Sequence, residues 1–414
     1  MSKLEELIQK LCPKGVEYKL LNNVVKSIST GLNPRKNFTL NIEGATNFYV
    51  TVKEITTGKI VFSDKTDKIT DEALDIIQDR SNLEFGDVLL SGIGTIGKVA
   101  LVDIPIGNWN CSESVFLIKP KNDVITSAFL AHILGSKNVQ KFFQGKARGS
   151  TLKGIRQQDL KQLKIPVPPI EVQEEIVRIL DKFTELSAEL TAELTARKKQ
   201  YEFYRDKLIL EQENVEYKTL GEIATEMYRG SGIKRDELTP EGISCVRYGE
   251  IYTTYDVWFD KCVSHTNEQA ITSKKYFENG DILFAITGES VEEIAKSCAY
   301  TGNNKCLAGG DIVVMKHKQN PKYLAYALYT TDAQRQKSYG KIKSKVVHAS
   351  VPSIKLISIP LPPLAVQEKI ASILDNFHSL VTDISEGLPA EIEARQKQYE
   401  YYRDKLLTFE EIAQ

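Results

Sequence analysis

One long phrase occurs twice in this chain. IPVPPIEVQEEIVRILDKFTEL (165–186) returns as IPLPPLAVQEKIASILDNFHSL (359–380), identical at 13 of 22 positions with an offset of 194. TARKKQYEFYRDKL (195–208) returns as EARQKQYEYYRDKL (393–406), identical at 11 of 14 positions with an offset of 198. Such a repeat constrains the fold more than any composition does, because each half must build the same supersecondary unit. The two offsets differ by four, so the second copy carries four additional residues between its blocks. Weaker echoes fill the remainder: LEFGDVLLS (83–91) with FENGDILFA (277–285), FLAHIL (129–134) with YLAYAL (323–328), and GVEYKLL (15–21) with NVEYKTL (214–220). Leu4, Leu7, Ile8 and Leu11 share one helical face, where the end of a preceding repeat helix would fall. The pattern is that of a circularly permuted duplication.

The repeated blocks read as long helices. Val172, Ile176, Ile179, Phe183, Leu186, Leu190, Leu194, Tyr201, Tyr204 and Leu208, with Arg197 at the intervening position, form a heptad seam with a four-residue stutter. Val366, Ile370, Ile373, Phe377, Leu380, Ile384, Leu388, Ile392, Arg395, Tyr399, Tyr402 and Leu406 repeat it with one more step of four. A Pro-Pro pair starts each helix, and Gly387 with Pro389 predicts a kink in the second. Forty residues with one narrow stripe would span roughly 60 Å, long for a core helix of a globular domain. The simplest arrangement pairs the two helices antiparallel, as a rod with a globular domain at each end.

The expected order is an N-terminal helix (1–15), a first domain (16–164), a central helix (165–214), a second domain (215–358) and a C-terminal helix (359–414). Both domains read as α+β. Short β-branched runs (VVKSIS, FYVTV, DVLLS, KVALVD, SVFLIK; then SCVRY, DVWF, DILFAI, DIVVMK) are interrupted by turns and by one clear helix each, around Phe129 and Tyr323. Where one part of a duplication stays nearly verbatim and the other diverges, the constant part is expected to meet one kind of partner twice. The divergent part is expected to meet two different targets.

The chain's 414 residues have a net charge of −1, an average that hides basic stretches. Residues 141–164 hold seven Lys or Arg against the single acid Asp159, and 334–355 hold six with no acid, plus His348. Glycines and serines among these cations suit loops that approach phosphates closely. Lys146, Arg148, Lys153 and Arg156 are the candidates in the first stretch, and Lys341, Lys343, Lys345 and His348 in the second. Basic doublets at matching places, Arg35–Lys36 and Lys234–Arg235, extend the set. Lys53, Lys98 and Arg247 complete it. Recurrence at the same place in both domains points to nucleic acid.

Other chemistries fit poorly. GIGTIGK (92–98) matches most of a P-loop, but Val99 stands where a metal-binding hydroxyl is needed and KVALVD predicts a strand instead of a helix. The cognate loop AITGESVEEIAK keeps only Gly288. VPPI and LPPL have aliphatic flanks and serve as helix starts. Cys262, His265, Cys298 and Cys306 sketch a zinc site that has no counterpart in the first half. His132 reads as packed or capped. The six cysteines form no CxxC pair, so reduced structural thiols are expected. No apolar run reaches the eighteen residues of a membrane span, and MSKLEEL lacks signal-peptide character, so a cytoplasmic location with no membrane partner is expected.

Over essentially its full length the sequence resembles the specificity (S) subunits of type I restriction-modification systems. The likeness is carried by the permuted duplication, by IPVPPIEVQEEIVRIL and IPLPPLAVQEKIASIL, by ARKKQYEFYRDKL and ARQKQYEYYRDKL, and by GDVLLSGIGTIGK. The resemblance implies two target-recognition domains separated by two antiparallel conserved helices, each domain reading one half of a split, asymmetric site in double-stranded DNA. It further implies that the helices set the spacer and dock two modification (M) subunits, with restriction (R) subunits joining through these. Residues expected on the partner-binding helices are Gln173, Ile176, Leu180, Tyr201, Tyr204 and Arg205, with Gln367, Ile370, Leu374, Tyr399, Tyr402 and Arg403. No cofactor or metal is expected on this chain; S-adenosylmethionine, ATP and Mg belong to the assembled complex, where catalysis resides. Two alternatives stay open, a coiled-coil adaptor between proteins and a nucleotide-dependent enzyme using GIGTIGK.

Overall fold

The structure is a computed structural model that describes residues 2–412 except 57, 151, 289, 340–345 and 383–386, and leaves the side chains of Lys36 and Ala270 undescribed. The chain divides into two compact units, residues 1–190 with 392–414, and residues 191–391. Each unit is mixed helix and strand, so the α+β expectation holds in both halves.

The first unit is built on an antiparallel four-stranded sheet in the order Val25–Thr30, Val115–Pro120, Val88–Ser91, Val99–Leu101. A second sheet places Asn47–Val50 between Lys68–Ile69 and Trp109–Cys111, the latter parallel to it. Strand Glu17–Leu20 pairs antiparallel with Lys164–Val167, bringing the start and end of the domain together. Helix Ser127–Gly135 packs Phe129, Leu130, Ile133 and Leu134 onto Val88, Leu90, Phe116 and Ile118. Full burial of such a side chain stabilises by roughly 1.5–3 kcal/mol.

The second unit repeats this plan. Its central sheet runs Glu226–Arg229, Ile312–Lys316, Ile282–Ala285, Ser297–Tyr300, Trp258–Phe259. Tyr217–Thr219 pairs with Ser358–Pro360, and helix Pro321–Leu328 covers the sheet with Tyr323, Leu324, Ala327 and Leu328. Identical details recur. Lys119 meets Asp87 at 3.0 Å and Lys316 meets Asp281 at 3.3 Å, each at the turn that starts the central strand. Burial pushes both carboxyls up against the opposing pull of the lysines.

Helix Ile170–Leu210 is continuous over 41 residues. Its most buried stripe starts on the expected seam, at Val172 and Ile176, and then leaves it. Val172, Ile176 and Leu180 are fully buried at one end and Ile209 at the other, whereas Ile179 and Leu208 are half-buried. The reason is that each helix end faces a globular domain, which covers a stripe adjacent to the coiled-coil one. The later helix is described as Leu364–Thr382 and Leu388–Leu406; Ile384 lies outside the described residues. Gly387 sits outside both segments and Pro389 falls in the first turn of the second, where its missing N–H costs nothing. No helix among the described residues is long and apolar enough to cross a membrane.

The glutamine of each opening block binds helix to domain. Gln173 accepts from Thr126 N at 2.9 Å and donates to Val124 O and Pro168 O. Gln367 accepts from Asn320 N at 3.0 Å and donates to Gln319 Oε1 and Pro362 O. Thr126 and Asn320 are the N-caps of the helices that cover the two sheets, so one fully buried side chain orients helix against sheet in each unit.

Candidate nucleic-acid interface

In the first unit four strands finish at one edge. Thr30 lies opposite Phe116, Ser91 opposite Val115, and Val50 opposite Cys111. The loops leaving that edge carry Arg35, Lys53 and the GIGTIGK run. The basic stretch folds back onto the glycine loop: Arg148 and Gly154 exchange two backbone hydrogen bonds at 2.9 Å, Gly94 N donates to Lys153 O at 2.8 Å, and Ile155 N donates to Gly92 O at 2.9 Å. Glycine is required at 92, where a Cβ would lie 2.2 Å from the Phe116 ring. Lys98 is tied by its Nζ to Val52 O at 2.9 Å, joining the glycine loop to the turn that holds Lys53.

Two features that are remote in sequence, GIGTIGK and the cation-rich loop, therefore form one surface. Arg35, Lys53, Arg148, Lys153 and Arg156 are exposed on it. Lys146 is half-buried, with its ammonium 5.7 Å from the Phe142 ring centroid. The side chain of Lys36 lies outside the described residues. GIGTIGK is followed by strand Val99–Leu101, so the loop has no helix N-terminus to cradle a nucleotide phosphate.

The second unit builds the same edge. Thr287 and Gly288 pair with His348 and Val347, and Ala349 N donates to Ile286 O at 2.9 Å, reproducing the bond from Ile155 to Gly92 at an offset of 194. His348 Nδ1 lies 3.2 Å from Thr287 Oγ1. Lys234 and Arg235 are exposed at a short 3-10 turn, while Arg247 is half-buried with Nε 3.3 Å from Glu250 Oε1. Lys341, Lys343 and Lys345 lie outside the described residues. Lys296 was missed by sequence reasoning. Ser91 N donates to Lys98 O, and Ala285 N donates to Lys296 O, so Lys296 is the counterpart of Lys98 after a loop longer by four residues. Aligning the strands before the loops would have found it.

Most residues expected on partner-binding helices are buried inside their own unit. Gln173, Ile176, Leu180, Gln367 and Leu374 are fully buried, Ile370 is nearly so, and Tyr201 and Arg205 are covered too. Arg205 lies over the Tyr201 ring at 5.9 Å and bonds Asp206 at 2.8 Å. Arg403 repeats this with Tyr399 at 5.4 Å and Asp404 at 3.2 Å. Tyr402 is half-buried and Tyr204 exposed. The large aromatics these blocks leave most open are Phe203 and Tyr401, 60% and 62% exposed at matching positions.

The remaining candidates resolve into packing. His132 places Nδ1 3.0 Å from Tyr399 OH and Nε2 3.2 Å from Asp181. Of the zinc sketch, Cys262 and Cys306 are neighbours at 3.4 Å, but no group of three ligating side chains that could hold a metal occurs among the described residues. The hydrogen bond from Cys262 holds the Cys306 thiol below the usual thiol range.

The profile described as the type I restriction modification DNA specificity domain matches residues 13–197 and again residues 212–394. A type I restriction enzyme specificity subunit of Haemophilus influenzae is 31% identical over 313 residues, covering 73% of this chain and 77% of that protein. The type I restriction enzyme EcoR124I/EcoR124II specificity subunit of Escherichia coli is 35% identical over 260 residues, 60% of this chain and 64% of that one. A chain solved in work on complex assembly and conformational transition of the type I R-M system superposes with a TM-score of 0.62 at 16% identity, covering 96% of this chain and 98% of that one, which is a likeness of fold. A domain profile matched twice at the places where one edge is built twice leaves one assignment: this chain belongs to the family of type I restriction-modification DNA specificity subunits.

Proposed function

We propose that each unit turns its loop edge to one half of a bipartite, asymmetric site in double-stranded DNA, and that the chain itself catalyses nothing. The observation that carries this is the repetition of one backbone ladder, Ile155 on Gly92 and Ala349 on Ile286, beneath side chains that differ between the units. A common scaffold with unlike side chains is what two different half-sites require, since phosphate contacts position a protein and base contacts specify the sequence. The long helices set the unspecified spacer and dock two methyltransferase (M) subunits, through which restriction (R) subunits join. Phe203 and Tyr401 support this docking, because a large exposed aromatic kept at the same place in both copies suits two copies of one partner. S-adenosylmethionine, ATP and Mg serve the partners in the assembled cytoplasmic complex.

Replacing residues 215–358 with the second domain of another family member, in a complex with the M subunit, tests the reading. Sequencing of methylated DNA should show one half-site changed and the other retained. Loss of both half-sites in a soluble, M-bound chimera would contradict independent reading, and an adaptor without DNA specificity would give no consensus at all.

A further inference from the structure

The loop edge of the second unit contains a cleft of about 270 Å³ between the turn after strand Ile243–Val246 and the segment before strand Ile312–Lys316. Arg247, Tyr248 and Asp311 all line it. Gly232 and Gly310 line the wall, and a Cβ on Gly310 would meet Gly232 Cα at 3.1 Å, so the backbones approach too closely for side chains there. The guanidinium of Arg247 is anchored by Nε to Glu250, whose other oxygen accepts from the Arg247 backbone N–H. Its Nη groups make no hydrogen bond among the described residues. Asp311 is held by Arg229, which bonds Oδ1 through Nη2 and the neighbouring Gly310 carbonyl through Nε. Both side chains are thus anchored by neighbours, and a donor and an acceptor line the same open slot.

The first unit has the same backbone at this place and different chemistry. Ser112 N donates to Val50 O at 2.8 Å as Gly309 N donates to Val246 O at 2.8 Å. Gly92 N donates to Ser114 O, and Ile286 N donates to Asp311 O. Thr51 N bonds Glu54 as Arg247 N bonds Glu250. Thr51 therefore stands where the second unit has Arg247, and Ser114 where it has Asp311. A phosphate is a poor occupant of the second unit's cleft, because the carboxylates of Asp311 and Glu250 would repel it. The edge of a base pair offers what the slot matches, guanine O6 and N7 for an arginine and the cytosine amino group for an aspartate.

We infer that the Arg247–Asp311 cleft reads one G·C base pair in the half-site met by the second unit, Arg247 donating to guanine and Asp311 accepting from cytosine. This rests on the proposed reading of DNA by each unit, so the test is arranged to separate the two. The full chain in complex with its M subunit would be compared with Arg247→Ala, Arg247→Lys and Asp311→Asn, scoring methylated sites genome-wide and the salt dependence of DNA binding. Expected is a loss of discrimination of roughly ten- to hundredfold at a single position of one half-site, with the other half-site and the salt slope unchanged. Arg247→Lys should relax that position too, because an ammonium lacks the bidentate fork. Two results would overturn the inference: an unchanged consensus in a folded Arg247→Ala complex, or uniform weakening with a slope smaller by about one, the mark of a phosphate contact. Should Asp311→Asn fail to fold, the two Arg247 variants decide alone. Absence of any consensus in the unaltered complex would instead defeat the underlying DNA-reading proposal.

Discussion

Phe183 and Tyr402 stack with ring centroids 5.3 Å apart and planes 22° from parallel, although one opens the first helical block and the other closes the second. Phe377 and Tyr204 do the same in the other unit, at 5.9 Å and 21°. Each unit thus completes itself with the closing block of the other copy, which is the arrangement a circularly permuted duplication needs. Removing Tyr402 should destabilise the first unit by about 1–3 kcal/mol, through loss of the stack and of the apolar area it covers. Tyr402→Phe should be nearly neutral. Thermal unfolding of the two variants checks this, and equal melting of Tyr402→Ala and the unaltered chain would show the stack to be incidental.

Asp404 and Asp206, both from the RDKL phrase, act as helix caps in trans. Lys137 N donates to Asp404 Oδ1 at 2.9 Å, and Thr331 N donates to Asp206 Oδ2 at 3.1 Å, each at the first residue of a domain helix. An aspartate there satisfies an otherwise orphaned N–H and faces the positive end of the helix dipole. Asp404→Ala should cost about 1 kcal/mol in urea unfolding, and Asp404→Asn less, because the amide oxygen still accepts. The near-identity of the two phrases therefore has an internal cause as well as any external one.

The duplication, the α+β class and the principal strands were legible because their signals are local: periodicity, turn residues and self-similarity. Helix Asp71–Ser81 was not read, although its cap is present, with Thr70 accepting from Ala73 N and Asn82 left-handed at φ 48. Only Ala73, Ile77 and Ser81 are buried on it, too sparse an apolar stripe to announce a helix. The cations were legible as a set but not individually. Lys337 lies in the basic stretch 334–355, yet it is buried with Nζ on Leu328 O at 2.8 Å, and burial pushes its ammonium down to about 7. Lysines in a charge run look alike until tertiary packing separates them. The Arg247–Asp311 cleft was invisible for the same reason, its two walls being far apart in the chain.

His317 should make the second unit acid-sensitive. Burial pushes its imidazole down to about 4, and its Nδ1 accepts from Gln319 N at 3.1 Å, which only the neutral ring can do. In the unfolded chain it titrates near 6.5, so between these values the unfolded state binds the proton and stability is lost as pH falls from about 6.5 towards about 4. The loss should reach no more than about 3.4 kcal/mol, from about 1.36 kcal/mol per unit. His317→Gln should flatten the pH dependence of unfolding over that window, and an unaltered profile would refute the assignment.

The first unit's cation loop predicts a salt effect. Arg148→Ala and Lys153→Ala, alone and together, should weaken DNA binding and reduce the slope of log affinity against log salt by roughly one unit for each phosphate neutralisation removed. Methylated sequences should stay the same, because phosphate contacts position the protein and carry no sequence information. A shifted consensus with an unchanged slope would move Arg148 and Lys153 from phosphate to base contacts.

The stretch SAEL-TAEL-TARK (187–198) tests the proposed spacer role. It lies wholly within the continuous helix Ile170–Leu210, and from 188 to 198 only Leu190 and Leu194 are covered, the last residues of SAEL and TAEL. Four residues turn a helix by slightly more than one revolution and lengthen it by about 6 Å, so adding or deleting one TAEL keeps the leucines on their stripe. A length change of that size corresponds to one or two base-pair steps of about 3.4 Å. The expected outcome is that both half-sites are preserved while the unspecified spacer changes by about one or two base pairs. A three-residue deletion should be worse, because it rotates the stripe by roughly 60° and exposes the leucines it needs covered. Methylated-site sequencing of the tetrad variants reads the spacer directly, and an unchanged spacer with full activity would mean that the helices do not set it.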